Sequence, residues 1–452
     1  NNEYEYLSDG LTETLINNLS QLPDLSVKAR SSVFSYKGKN VSPQQIGTEL
    51  AVGAVLNGRL LQRGDNITLS VELVDARNGN QIWGEQYSHK LVDLTALQSS
   101  IARDVSNKLQ KKLTATEGRQ IAKKYTTDSE AYQLYLKGLF HWNKRTVDDL
   151  KTAIRYFDQA REKDPSFALA YVGLALTYSV LPSNTLLTKE ETNEANLKAK
   201  AAALRALELD NSLAEPHTVL ALVNTGEWDF AAAENEFKRA IELNPNYATA
   251  HQWYSELLAR LGRNDEALVE IKRAYELDPF STAVNMNVGL RYADAGRADE
   301  AFTQFKKTIE LSPDYPMAYW YLADIYVERG MYEESFAMAS KGNLLLKVET
   351  PESEERKTSE LRQAVKAQGV EGYWRKMLEY EMAWYEKGIG TPFYVAAIYA
   401  ELGEKDKAFE WLEKAYVDRA FDLTNLKTNR RFRSLRSDPR FQDLVRRIGL
   451  SQ

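Results

Sequence analysis

The hydrophobic positions of two segments in the middle of the chain follow the spacing of amphipathic helices. In residues 266–277 they are Ala267, Leu268, Ile271, Ala274, Tyr275 and Leu277. In residues 300–311 they are Ala301, Phe302, Phe305, Ile309 and Leu311. Each set falls on one face of a helix, so both segments are predicted to be helices that bury one side.

Similar side chains recur at intervals of 34 residues in several independent columns. One column is Asn211, Pro245, Pro279 and Pro313, another is Gly262, Gly296 and Gly330, and a third is Ala199, Ala233, Ala267 and Ala301. Each repeat is predicted to contain two short helices that are joined at the glycine and turn to the next repeat at the proline. Because stacked repeats bury a continuous core, the pattern predicts a mainly α-helical solenoid.

The order of small, aliphatic or aromatic, small and proline positions resembles the tetratricopeptide (TPR) repeat family, specifically over residues 214–345. About six repeats are predicted in residues 126–347. Residues 181–192 are read as an insertion between two helices, and Trp228 replaces the turn glycine of its repeat. Residues 348–390 are predicted to be a linker (348–359) and helices, and residues 391–452 a TPR-like hairpin and a cap.

The N-terminal part alternates between helical and strand patterns. Residues 8–22 carry one apolar face, and Ser42-Pro43 is a predicted helix start. Strands are predicted at 25–29, 56–62, 67–74 and 81–87, and a final helix at 94–113. This order predicts a small α/β domain in front of the solenoid, which occupies residues 1–125.

This domain resembles the TolB-amino-terminal-like domain through several short motifs, which are Tyr6-Leu-Ser-Asp-Gly-Leu-Thr-Glu13, Ala29-Arg-Ser-Ser32, Tyr36-Lys-Gly38 and Leu56-Asn-Gly58, with Gly79, Trp83 and Leu97-Gln98. The combination with TPR repeats is similar to the C-terminal part of bacterial serine/threonine kinases, cyclases and winged-helix regulators. The resemblance implies a first strand ahead of this chain, and hence an incomplete sheet edge. It also implies a bacterial protein on the cytoplasmic or periplasmic side of an upstream membrane anchor.

Composition narrows the possible functions. The 452 residues are 43% hydrophobic and 27% charged, which is typical of folded protein. The net charge of -6 disfavours nucleic-acid binding, and the absence of cysteine excludes disulfides and thiolate chemistry. The longest apolar stretch, 167–181, is too short to span a bilayer and is predicted to be a buried helix. The first residues lack an initiator methionine, so any catalytic domain or membrane anchor would lie upstream.

No motif with catalytic chemistry stands out, so no catalytic, cofactor or metal residue is nominated and the chain is predicted not to be an enzyme. The glycines of 53–58 have a phosphate-loop spacing but lack its Lys and Ser/Thr. His217 and His251 occupy equivalent positions of two repeats, where Tyr171 and Tyr319 stand in others, which favours packing over metal binding. The basic cluster 430–447 indicates either an acidic partner or a capping helix with its arginines outward, and the cap is preferred.

The first helices of TPR repeats line a groove, and the family alignment places a set of mostly apolar or acidic residues there. They are Leu169, Val172, Leu176, Thr218, Leu222, Gln252, Glu256, Met286, Leu290, Met317, Trp320 and Asp324. The predicted function is a non-catalytic protein interaction and scaffolding module that binds a protein or an apolar or amphipathic peptide in this groove. The alternative is a sensory module whose α/β domain binds a small ligand and regulates an upstream domain. Nothing in the sequence fixes the oligomeric state.

Overall fold

The computed structural model describes residues 5–22, 24–64, 66–90, 94–108, 114, 118, 123–184, 189–346, 350–388 and 390–450. The chain forms two compact units. The N-terminal unit contains residues 1–223, 232–251 and 276–279, and the C-terminal unit contains residues 224–231, 252–275 and 280–452.

A small α/β module opens the N-terminal unit. Its elements are α1 (Glu5–Ser20), α2 (Arg30–Phe34), α3 (Pro43–Leu50), β1 (Ala54–Arg63), β2 (Asn66–Asp75), β3 (Gln81–Lys90) and α4 (Leu94–Lys108). The strands form one antiparallel sheet in the order β1-β2-β3. Alternation places Leu56, Leu69, Trp83 and Tyr87 on one face, where they pack against the apolar side of α4. The Ser42 side chain caps α3 as predicted, accepting a hydrogen bond from the Gln45 N–H.

Two details of the module differ from the sequence prediction. The predicted strand 25–29 is extended but does not join the sheet, and its Ala29 N–H donates instead to the carbonyl of Leu277. Alternating side chains alone do not make a strand when another part of the chain satisfies the backbone. The short helix α2 was not predicted, and the last five positions of the predicted helix 94–113 lie outside the described residues.

The repeats follow as pairs of helices. The first helices are α5 (Ser129–Trp142), α7 (Ala168–Asn184), α9 (Ala214–Gly226), α11 (Ala248–Arg260), α13 (Thr282–Asp294) and α15 (Pro316–Glu328). The second helices are α6 (Val147–Lys163), α8 (Lys189–Leu209), α10 (Phe230–Leu243), α12 (Asn264–Leu277), α14 (Ala298–Leu311) and α16 (Tyr332–Leu346). The predicted mainly α-helical solenoid of paired helices with a small α/β domain in front is confirmed.

The glycine column marks the turns between paired helices. Gly262, Gly296 and Gly330 have φ of 84°, 76° and 70°, in the left-handed region that glycine enters at low cost. Trp228 has φ of 65° at the equivalent turn, so the departure seen in the sequence keeps the same backbone shape. Its ring lies 5.6 Å from that of Tyr416 and 5.1 Å from the guanidinium of Arg419, contacts that offset the strain.

The region after α16 is more helical than its polar composition suggested. The predicted linker 348–359 is helical from Pro351, because Thr350 caps a long helix, α17 (Pro351–Glu386), with Pro351 in its first turn. Gly369, at φ of 61°, interrupts that helix. The chain continues with α18 (Pro392–Glu401), α19 (Lys405–Val417), two 3₁₀ segments (Phe421–Asn425 and Arg430–Leu435) and α20 (Pro439–Ile448).

We expect Gly296→Ala to lower the stability of the C-terminal unit by about 1–2 kcal/mol, the cost of a left-handed conformation for an L residue. An added Cβ would meet no atom within 4 Å, so the loss comes from the backbone alone. Hydrogen exchange of amides in α13 and α14 measures it. Gly226→Ala is the matched control, because Gly226 has no positive φ and its Cβ would lie at an ordinary 3.8 Å from Phe421. Equal losses in the two variants would contradict the explanation.

Candidate functional site

The structure divides the predicted groove residues of the later repeats into two columns along the first helices. Leu222 of the N-terminal unit and Glu256, Leu290 and Asp324 of the C-terminal unit are half-buried, and we call the last three the accessible column. One helical turn earlier, Thr218, Gln252 and Met286 are buried and Trp320 is half-buried, and we call these four the packed column. Residues four apart lie on the same side of a helix, so small differences in helix packing decide which column solvent reaches.

The side chains of the packed column make hydrogen bonds and apolar contacts within the protein. The Thr218 hydroxyl donates to the carbonyl of Ala214, and Gln252 is buried. Met286 is 3% exposed and belongs to the apolar cluster around Phe305. The indole N–H of Trp320 donates to Asn343 Oδ1 at 2.9 Å, on the second helix of the same repeat. These side chains therefore hold helices together in this conformation.

The remaining predicted residues lie on α7 and α15. Val172 and Leu176 are buried in the large core of the N-terminal unit, with half-buried Leu169 packed against it. Met317 is 37% exposed at the start of α15. Among the predicted residues, those that keep part of their surface exposed are the accessible column, Met317, Leu169, Leu222 and Trp320, and these are the side chains that a partner could contact directly.

A segment near the C-terminus lies across the ends of several first helices in the C-terminal unit. We call residues 421–435 the strap. Its Asn425 Oδ1 accepts from Arg260 Nε at 3.1 Å, and Lys427 Nζ donates to the Leu261 carbonyl at 2.6 Å, both at the end of α11. Further along, Arg431 pairs with Asp324 at 2.8 Å. The sequence prediction of a cap with outward arginines is therefore right for its buried apolar residues and wrong for Arg431.

The second half of the strap makes further ion pairs and hydrogen bonds to the ends of helices. Arg430 pairs with Glu328 at 2.9 Å, at the last residue of α15. The Ser434 hydroxyl donates to the carbonyl of Ala400 near the end of α18. Leu423, Leu426, Phe432 and Leu435 of the strap are fully buried, whereas Phe421 is 50% exposed. The strap therefore combines an apolar underside with cations aimed at helix carboxylates.

Electrostatics at the strap follow from burial and pairing. Burial raises the pKa of Asp294, although Arg291, at 2.9 Å, opposes the rise. Burial likewise raises the pKa of Glu401, against the effect of Arg431. For Arg431, burial works to lower the pKa, but the carboxylates of Asp324 and Glu401 outweigh it and the pKa is raised. The guanidinium therefore stays charged and also lies 5.1 Å from the ring centre of Trp374.

A second polar arrangement, in the N-terminal unit, joins the α/β module to the turns before the first helices. Asp164, Asp210 and Asn244 each use one side-chain oxygen to accept the N–H two residues later in their own turn. The other side-chain atom reaches the N-terminal part, where Asp164 bonds Thr126, Asp210 pairs with Lys123 and Asn244 donates to Ser20. The turn column therefore also docks the preceding chain.

The docking continues at the next turns. The amide of Asn246 donates to the carbonyls of Ser20, Leu22 and Leu25, at 3.0, 3.3 and 3.0 Å. Asp278 accepts from the backbone N–H and hydroxyl of Ser32 at 3.0 and 2.6 Å and from the hydroxyl of Ser31. Burial raises the pKa of Asp278, while these hydrogen bonds act in the opposite direction. That these residues dock the N-terminal chain was not predicted from the sequence, because Asp and Asn are already expected in turns for local reasons.

His217 and His251 contact other parts of their own repeats, which agrees with the predicted packing role. His251 Nε2 lies 3.0 Å from the Pro245 carbonyl, and the hydroxyls of Tyr171 and Tyr319 donate to the carbonyls of Pro165 and Pro313. His217 lies 2.6 Å from Glu236 on the second helix of its repeat. Within the described residues no three histidine or acidic side chains form a metal-binding group. None of the described helices is both long and apolar enough to cross a bilayer.

Comparison with known families supports the repeats. Residues 226–286 match the family described as "Tetratricopeptide repeat", and residues 289–330 match that described as "TPR repeat". Residues 1–112 match the family described as "HilA/YgeH-like transcriptional regulator, second domain". The predicted TPR repeats are thereby confirmed, and they imply a protein–protein interaction module. The family matched by the N-terminal module has a different description from the TolB-like domain that the sequence resembles.

Two curated proteins share parts of the chain. It is 32% identical over 223 residues to "Putative adenylate cyclase 3" of Rhizobium meliloti, a match covering 49% of this chain and 37% of that protein. It is 24% identical over 267 residues to "Transcriptional regulator HilA" of Salmonella typhimurium, covering 58% of this chain and 46% of that protein. The match therefore spans less than half the length of each of these relatives.

Solved structures include TPR proteins. YrrB, described as a TPR protein with an unusual peptide-binding site, is 24% identical with a TM-score of 0.30, over 42% of this chain and 91% of that one. PilF of Pseudomonas aeruginosa is 21% identical with a TM-score of 0.37, over 49% of this chain and 93% of that one. These matches concern the fold alone.

Proposed function

We propose that this chain is a non-catalytic interaction module of a bacterial signalling protein, in which the first helices of the TPR array bind a segment of a partner protein. The observation that carries the proposal is the accessible column of the C-terminal unit, which presents Glu256, Leu290 and Asp324 at equivalent positions of successive repeats. Regularly spaced, half-buried side chains suit an extended or helical peptide, whose own side chains repeat at fixed intervals. The column mixes apolar and acidic groups, so the partner segment is amphipathic.

The larger context belongs to the same proposal. The partial matches to a putative adenylate cyclase and to a transcriptional regulator support a role as a regulatory part of larger signalling proteins, in which other domains act. The α/β module, with its TolB-like motifs, connects the array to such a domain. Two sequence predictions stay predictions. One is that this module senses a small ligand, and the other is that the net charge of -6 disfavours binding to nucleic acid.

Site-specific photo-crosslinking tests the groove. A photoreactive residue in place of Glu256 is expected to form covalent adducts with a partner protein when the full chain is irradiated in bacterial lysate. Glu256 is 24% exposed, and its contacts with Gln252 and Arg260 are with polar groups of its own helix, so we expect the fold to tolerate the substitution. Position 269 on α12 is the matched control, since Val269 is 66% exposed but lies on a second helix. Adducts of the same partners at both positions, or none at 256, would refute groove binding.

A further inference from the structure

The helices that the strap covers carry more acidic than basic side chains at their contact surface with it. In the described part of the C-terminal unit, the helices there contribute two arginines, Arg260 and Arg291, and a larger set of carboxylates. The carboxylates are Glu256, Asp294, Asp324, Glu328, Glu381 and Glu401. Such a concentration of like charge in a partly desolvated place is costly unless cations neutralise it.

The strap supplies those cations in a pattern that matches the surface. Arg430 and Arg431 pair with successive carboxylates of α15, and Lys427 donates to a carbonyl at the C-terminal end of α11, where the helix dipole favours positive charge. Directly after these arginines, Phe432 is buried, with its ring 5.1 Å from that of Phe393. The surface therefore recognises two arginines that are followed by an aromatic residue.

From this match we propose that the acidic ends of the first helices are a binding site for arginine-rich segments of partner proteins, with the strap as its resting occupant. The sequence it selects is of the Arg-Arg-Phe type found at 430–432. This proposal rests on the proposed function and specifies the partner chemistry for the same face, since Asp324 and Glu256 belong to the accessible column. A partner binds there by displacing the strap.

The local structure of the strap permits exchange. It consists of two short 3₁₀ segments, which hold themselves together less well than an α-helix. The carboxylates of its ion pairs reach solvent, with Asp324 36% and Glu328 42% exposed, while Arg430 and Arg431 are 18% and 23% exposed. A tethered segment nevertheless acts at an effective concentration of roughly millimolar, so a free peptide competes weakly until the strap is weakened.

Fluorescence anisotropy with a labelled synthetic peptide of residues 418–438 tests the exchange on the full chain. Replacing both Arg430 and Arg431 with alanine in the protein is expected to raise its affinity for the unmodified peptide by about tenfold or more over the wild-type chain, because the resting occupant is weakened. The gain should shrink as salt is added, since its contacts are partly exposed ion pairs. Adding Asp324→Asn to the protein should remove most of the gain.

The matched control is the double variant Arg440→Ala and Arg447→Ala in α20. These arginines pair with Asp406 and Glu413 and do not touch the acidic surface. The control should bind the peptide no better than the wild-type chain. A folded strap variant, judged by circular dichroism, that gains no affinity overturns the proposal, and so does a gain that survives Asp324→Asn.

Hydrogen exchange on the wild-type chain gives a readout that needs no variant. Excess peptide should speed exchange of the amides at 421–435, and the same peptide with its arginines changed to glutamate should not. Unchanged exchange would also overturn the proposal. If position 256 forms partner adducts but the peptide does not displace the strap, groove binding stands and only the preference for arginine is refuted. If the peptide displaces the strap but position 256 forms no adducts, groove binding is refuted and the preference for arginine stands.

Discussion

Replacing Phe157 with alanine is expected to lower the stability of the N-terminal unit by about 3–5 kcal/mol, the usual range for removing a fully buried aromatic ring. Phe157 lies on α6 with no exposed surface, and its ring fills the space left by glycines on two neighbouring first helices. A Cβ at Gly138 or at Gly173 would come within 2.4 or 2.5 Å of that ring. Because three helices meet at this one side chain, the cavity cannot close without moving all of them.

Hydrogen exchange of the slowest amides in α5 and α6 measures this loss, and it reports on one unit even if the chain unfolds in steps. Leu197→Ala is the matched control, because Leu197 is 66% exposed on α8 of the same unit and should change stability by no more than about 0.5 kcal/mol. If the stability loss of Phe157→Ala is within about 1 kcal/mol of that of Leu197→Ala, the packing argument is contradicted, because ordinary surface substitutions cause losses of that size.

A double-mutant cycle tests the packing more closely. Gly173→Ala alone should cost about 1–3 kcal/mol, because the added methyl overlaps the ring. In the presence of Phe157→Ala the methyl enters the cavity instead. The two losses should therefore sum to more than the loss of the double variant, with a coupling of about 0.5–3 kcal/mol. Additive losses would mean that the glycine and the ring do not share one space.

The parts of this fold that follow from the sequence are those fixed by local backbone geometry or by side-chain volume. Pro245, Pro279 and Pro313 end one repeat and begin the next wherever they occur, since proline cannot continue a helix. The turn glycines predict positive φ, and Trp228 adopts it because the repeat on either side imposes the same turn. These constraints act over a few residues, so a single sequence reveals them.

The parts that sequence reasoning missed depend on contacts between distant segments. Residues 25–29 alternate like a strand, yet Leu277, far along the chain, takes the hydrogen bond that a neighbouring strand would have accepted. Arg431 looks like one cation of a solvent-facing cluster, and only the fold places it against Asp324 and Trp374. In the groove, the choice between the packed and accessible columns depends on helix rotation, which the 34-residue period leaves open.

Asn246→Ala is expected to loosen the α/β module from the array at a cost of about 1–3 kcal/mol, because three carbonyls share the two N–H donors that are lost and each net hydrogen bond contributes about 0.5–1.5 kcal/mol. Asn246 is buried, and its amide nitrogen faces the carbonyls of Ser20, Leu22 and Leu25. Three acceptors around one atom require the nitrogen there, so the orientation of the amide follows from its surroundings. Hydrogen exchange should show lost protection first in α1 and in residues 24–34.

Asn246→Asp separates hydrogen bonding from packing, because aspartate has the same shape but presents only oxygens to the three carbonyls. We expect it to be worse than alanine, with a loss of about 3–5 kcal/mol, since a buried charge then lacks a donor. At a solvent-exposed position such as Asn193, the same change to aspartate should alter stability by no more than about 0.5 kcal/mol. If aspartate at position 246 is tolerated as well as alanine, the side chain acts there as a spacer. Apolar contacts, such as the packing of Gly10 against Leu136, would then hold the module to the array.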